Sequence, residues 1–324
     1  MKKVFLLSLV SAILLFTGCS KENSSNSSSD TVSVAVTASL PNVATKAVID
    51  GDGQADSLDH WVIEVRDTLQ KDVVYYWTEK AGEKGALSQT FELTLVKGHT
   101  YDIALWADKS GCYDASNLKQ VSFTDITKVG NSDSYDAFFA CKRFKASGST
   151  AMSATLYRPL AQVNIISTDL PKLQAGKTET AYLSYKPNTF SFKATLPTEF
   201  NVYSGEASVE KELTITPAAA VDTCYGDYAA AADSTTIHMI YVLTTLESAK
   251  ESKSDVRNIN FAFKSGGVNI PYQFTDIPLK RNYRTNIIGA LLTNTTEWTV
   301  TVDPGWDSKD DGSDDINVDY PQGN

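Results

Sequence analysis

The residues best suited to chemistry are few and scattered. Three histidines, His60, His99 and His238, lie far apart in a chain of 324 residues. None has a partner at metal-ligand spacing, and neither HExxH nor a paired CxxC occurs. Ser116-Asn117-Leu118-Lys119 fits S-x-x-K, but the S-D-N and K-T-G elements that complete that nucleophilic serine machinery are missing. Asp50-Gly51-Asp52-Gly53-Gln54-Ala55-Asp56 offers hard oxygens around a glycine turn. It lacks the leading Asp and the distant bidentate Glu of a calcium loop, and so reads as an acidic turn. Asp307 to Asp315 is acidic too, with Lys309 where a ligand should sit, and reads as a solvated tail. No catalytic residue, metal or cofactor is expected, and the chain is read as a non-enzyme.

One cysteine suits a different chemistry. Met1-Lys2-Lys3 is a short basic start, Val4 to Phe16 an apolar run too short to span a bilayer, and Thr17-Gly18-Cys19 places small residues at a cut. Leu15-Phe16-Thr17-Gly18-Cys19 resembles the lipobox of bacterial lipoproteins, which implies cleavage before Cys19 and acylation of it. The plainer alternative is ordinary secretion with an incidental thiol. Several acyl chains, at about 0.8 kcal/mol per buried CH2, would hold the chain on an outer membrane. Residues 19–30 are then a serine- and asparagine-rich tether with nothing apolar to bury. Fully extended, such a tether reaches about 40 Å. Cys112, Cys141 and Cys224 remain, an odd number that permits at most one disulfide. Cys112 with Cys141 is the better pair, and buried free thiols are the alternative.

The elements that must position these residues are strands. Apolar side chains recur with period two at Val32, Val34, Val36, at Trp61, Ile63, Val65, at Phe91, Leu93, Leu95 and at Tyr101, Ile103, Leu105. The same pattern returns at residues 161–165, 213–215, 237–243, 260–263 and 298–302. Such strands read as half-buried, and Gly, Asn, Asp and Pro separate them at short intervals. The fold class is therefore all-β: two tandem antiparallel sandwiches, at 31–158 and 159–303, after a signal (1–18) and tether (19–30). An acidic segment, 304–324, follows. Arg158-Pro159 marks the junction, since Pro cannot donate to a ladder. Helical turns are allowed only at Leu118 to Thr127 and Tyr225 to Asp233. A formal charge of −10 argues against nucleic acid and bare anionic membrane as partners. Tyr75-Tyr76-Trp77 could offer a sugar-binding platform, but adjacent strand residues alternate, so at most Tyr75 and Trp77 share a side.

Longer stretches carry a resemblance. Tyr101-Asp102-Ile103-Ala104-Leu105-Trp106-Ala107-Asp108, then Tyr113-Asp114, Asn117-Leu118-Lys119 and Asp136-Ala137-Phe138-Phe139, resemble the N-terminal domain of fimbrillin-like lipoproteins of the Bacteroidota. So do residues 158–164 at the junction and Arg281-Asn282-Tyr283-Arg284-Thr285-Asn286-Ile287-Ile288-Gly289 near the end. The resemblance implies transthyretin-like sandwiches and a fimbrial subunit, anchor or tip component on the cell surface. Its partners would be other subunits, the membrane through Cys19, and a host surface or glycan. Family precursors are trimmed by an Arg- or Lys-specific protease after a first strand, which points to cleavage between Lys46 and Ala47. Lys stands where Arg is commoner, so a strictly Arg-specific protease would leave an anchored subunit. Ile316, Val318 and Tyr320, apolar at alternate positions, form a candidate donor strand for the opened groove, unless the acidic tail is simply disordered. A monomeric glycan-binding lipoprotein is the alternative function.

Overall fold

The computed structural model describes residues 30–41, 58–70, 73–83, 86–170, 187–216, 235–245, 255–293 and 298–303. The described elements all fall in one compact unit, Thr31–Asn324. Cys19, Lys46, Ala47, Cys224, Ile316, Val318 and Tyr320 lie outside the described residues, as do both acidic stretches and Tyr225 to Asp233.

Two sheets face each other in the first half. One has the order β4-β1-β9, built from β1 (Thr31–Ser39), β4 (Ser88–Val96) and β9 (Thr150–Thr155). The other has the order β3-β2-β5-β8, from β2 (His60–Asp67), β3 (Val74–Ala81), β5 (Thr100–Asp108) and β8 (Phe138–Lys145). Between them lies a core of Val34, Val36, Trp61, Ile63, Phe91, Leu93, Ile103 and Leu105 with their neighbours. These are the residues of the period-two runs.

The second half repeats the plan. A sheet of order β13-β10-β16-β17 comprises β10 (Leu160–Ser167), β13 (Thr235–Leu243), β16 (Arg284–Gly289) and β17 (Trp298–Asp303). It faces β11 (Asn188–Asn201), β12 (Glu206–Ile215), β14 (Asp255–Ser265) and β15 (Val268–Leu279), paired in the order β12-β11-β14-β15. Strands β10 to β16 thus take the places of β1, β2, β3, β4, β5, β8 and β9. Two pieces break the repeat: β17 is added at an edge, and the short pair β6 (Tyr113–Asp114) and β7 (Val121–Phe123) is inserted between β5 and β8. That pair comes from the first half of the sequence but joins the second half's sheet, Val121 lying opposite Phe200 and Ser122 opposite Glu199.

The all-β sandwich fold is as expected, with one added detail and one correction. The sandwiches are mainly antiparallel, yet each contains one parallel pairing: β1 with β9, and β10 with β16. And β2 and β5 are not half-buried. Trp61, Ile63 and Val65 point into the first core, while Val62, Ala104 and Trp106 on the opposite face belong to the second. The far side of β2 and β5 is covered by β6, β7 and the tip of the β11–β12 hairpin, with Tyr113 on Trp106 and Tyr203 on Glu64, so both faces of these two strands are dry while β3 at the edge stays exposed. Of the helical turns expected at 118–127, a 3-10 turn forms only at Ile126–Lys128, where Asp125 caps the Thr127 amide. A second occupies Asp133–Tyr135.

Candidate functional site

β1 has an unusual place for a first strand. It lies in the middle of its sheet, antiparallel to β4 from Thr31↔Val96 to Ser39↔Ser88 and parallel to β9 from Val34↔Thr150 to Ser39↔Thr155. Alternation makes it amphipathic. Val32, Val34, Val36, Ala38 and Leu40 are buried, while Ala35, Thr37 and Ser39 are half-exposed. Fully burying a Val or Leu side chain stabilises by about 1.5–3 kcal/mol. Each ladder bond adds roughly 0.5–1.5 kcal/mol net. The strand follows the residues carrying Cys19 and precedes those carrying Lys46 and Ala47, so the three features the sequence singles out flank one buried, central strand.

Polar clusters elsewhere hold the halves together. Glu64, 1% exposed on β2, accepts from the Leu118 amide at 3.1 Å and the Tyr203 hydroxyl at 3.0 Å, and pairs with Arg66 at 2.7 Å. Arg66 also stacks over the Tyr203 ring. Burial, then the Glu64 charge, pushes the Tyr203 phenol far up. Tyr203 sits at the tip of the β11–β12 hairpin, where the Gly205 amide closes on the Asn201 carbonyl at 2.7 Å and φ of 70° at Gly205 suits glycine. At the junction, Arg158 is 1% exposed, donates to both oxygens of Asp136 at 2.6 and 2.7 Å and reaches Asn282 at 3.0 Å. Composition and spacing do not reveal these clusters. Their one sequence signal is Glu64 and Arg66 interrupting an apolar strand at positions that alternation assigns to water.

The histidines do separate jobs. His60 bridges Asp108 at 2.7 Å and Glu79 at 3.3 Å, and the hydrogen bond to Asp108 is the leading cause that raises its pKa. His99 pairs with Asp67 at 2.6 Å. His238 is fully buried, with its ring 5.2 Å from Phe261 and 5.4 Å from Phe190. Neither of its nitrogens has a partner among the described residues, and burial lowers its pKa to about 3. Ser116 Oγ donates to Asp114 at 2.7 Å within a surface turn. Among the described residues no group of His, Cys, Asp and Glu could hold a metal. Cys112 and Cys141 are free thiols, and burial pushes the Cys112 thiol up to about 11 and Cys141 higher still. Tyr75 and Trp77 do not share a side. A register shift where β3 pairs with Val65 and Arg66 breaks the alternation. Tyr75 packs on Tyr101 at 5.1 Å and donates to the Thr94 carbonyl, whereas Trp77 lies opposite Glu64 on the other face.

The chain matches the family described as "Family of unknown function (DUF6562)" over residues 24–319. It belongs to that family. No curated protein matches it. Among solved structures, the DUF6562 chain is similar to the fimbrial anchor protein Mfa2 from Porphyromonas gingivalis, with 11% identity, TM-score 0.43, and 83% of this chain and 97% of that one covered. The tip fimbrial protein Mfa3 from the same organism gives 9% identity, TM-score 0.45 and coverage of 84% and 98%. A fimbrial assembly protein from Parabacteroides distasonis gives 13%, 0.40, and 84% and 98%. At such low identity, function must be argued from the chain's own residues.

Proposed function

We propose that this chain is a structural subunit of a surface fimbrium, or the anchor that ties one to the outer membrane, held by lipid on Cys19 and acting in adhesion rather than catalysis. The observation that carries this reading is the position of β1. In an intact chain it fills the centre of its sheet. Cleavage between Lys46 and Ala47 would detach it together with the lipid. The empty place would be an apolar slot flanked by two open edges, β4 on one side and β9 on the other. Such a slot is a template for a strand from another subunit, and Ile316, Val318 and Tyr320 have the alternation to fill it. A chain left uncut keeps its plug and its tether, and serves as the anchor. The two sandwiches, 31–158 and 159–303, are the body in either case.

Limited trypsin treatment of the purified chain, read by N-terminal sequencing and sizing, tests the scheme. An N-terminus at Ala47 with higher oligomers is expected, and Lys46→Ala should block both. Unfolding on cleavage, or oligomers that form equally well in Lys46→Ala, would show that β1 is a permanent core strand and the chain a monomeric surface protein.

A further inference from the structure

The strand registers fix how the molecule responds to being pulled. β1 and β9 are the first and last strands of the first half. They are parallel neighbours, so the N-terminal end of β1 and the C-terminal end of β9 lie at opposite ends of one ladder, with Ser39 opposite Thr155 at the far end from Thr31. β10 and β16, the first and last strands of the repeated plan in the second half, have the same relation from Gln162↔Arg284 to Ser167↔Gly289. Tension entering at Thr31 leaves the first half at Thr155, and tension entering at Leu160 reaches the far end of the second ladder at Gly289. In both halves it runs along the strands, and the rungs between first and last strand share it together. The bonds of a parallel ladder are evenly spaced, which suits sharing. β1 must moreover slip past β4 as well as β9 to come free.

We infer that each half is a shear clamp and that the chain carries tension between its N-terminal anchor and whatever it holds. This deepens the anchor reading, since β1 must be retained for the first clamp to exist. The connection between the clamps is itself fastened. Tyr157 bridges Phe139 through paired backbone bonds of 2.8 Å, and Arg158 is held by both oxygens of Asp136. The last strand behaves differently. β17 runs antiparallel to β16, with Asp303 opposite Arg284, so its C-terminal end lies beside the start of the second ladder. A pull from the C-terminus peels β17 one rung at a time before the β10–β16 clamp is engaged.

Single-molecule force spectroscopy on the full chain tests this with two attachment geometries. Handles at the N- and C-termini load both ladders in shear. A ligation tag inserted at Gly148, in the turn before β9 where an added Cβ meets nothing within 4 Å, replaces the C-terminal handle and puts both grips at the same end of the β1–β9 ladder, which then peels. End-to-end pulling should show a small early extension from β17 and then two ruptures. The rupture releasing the first half should need several times the force that separates β1 from β9 with the Gly148 handle. Equal forces in the two geometries would overturn the clamp. Circular dichroism and thermal unfolding of the tagged chain confirm that it is folded before it is pulled. Because the comparison is made on uncleaved single molecules, its failure is distinct from a failure of Lys46 cleavage to produce oligomers.

Discussion

His238 is a polar residue in a place built for a hydrocarbon. Its ring packs in a cluster with Phe190 and Phe261, which also touch each other, and neither nitrogen finds a partner among the described residues. Burial holds its pKa near 3 against an ordinary 6.5. The unfolded chain takes up a proton at this position as pH falls below 6.5 while the folded one does not, so the folded state is fully favoured above 6.5 and loses ground from there towards about 3. His238→Phe fills the same aromatic stack without a titrating group. Its stability relative to the parent should rise steadily as pH falls through that window, whatever packing cost the larger ring carries at neutral pH. Denaturant midpoints at pH 7, 5 and 4 measure the difference, and parallel curves would show that the His238 ring titrates alike in the folded and unfolded chain. None of this is visible in the sequence, where His238 is simply an isolated histidine in a strand.

Strands and hairpins explain which parts of the sequence were legible. Where one face of a strand is dry and the other wet, as in β1 and β4, alternation reads out the strand and its core face together. It fails for β2 because both faces are dry, and the second face is roofed by residues some 139 positions away, such as Tyr203 over Glu64. The charges there are mutually satisfied and therefore tolerated. Removing one should be severe. Glu64→Ala removes the buried carboxylate that pairs with Arg66 and accepts from the Leu118 amide, and is expected to destabilise by about 3–5 kcal/mol. Tyr203→Phe, which removes only a hydroxyl from the same cluster, should cost about 1–2 kcal/mol. Equilibrium urea unfolding checks both, and a near-neutral Glu64→Ala would mean that the hairpin tip is not docked in solution. The candidate site was legible in part: the strand Thr31 to Leu40 and the residues flanking it follow from pattern, but its central position does not, because no local pattern announces pairing with a strand more than a hundred residues away.

At the scale of the whole molecule, the two sandwiches are tied together by shared packing and a shared sheet. Trp106 and Phe139 of the first half pack against Phe200 of the second at 6.2 and 4.7 Å, and β6 and β7 cross to the second half's sheet. A single thermal transition is expected, with calorimetric and van't Hoff enthalpies in agreement. Residues 31–158 alone should expose Val62, Trp106 and Phe139 and populate a loose, aggregating state. Two well-separated transitions would show that the halves are thermodynamically independent. The same topology bears on the order in which the molecule can come into being. β1 leaves the ribosome before any of its partners, and Ser33 meets Ser149 across 116 residues of chain. Until β4 and then β9 have been made, its Val32, Val34 and Val36 have no sheet to enter. Long-range parallel pairing is among the slower events in folding. During that interval the newborn strand is an extended apolar peptide, open to aggregation and to any holdase chaperone that grips such segments. The speed with which the native molecule accumulates should therefore depend on how well β1 is shielded while it waits.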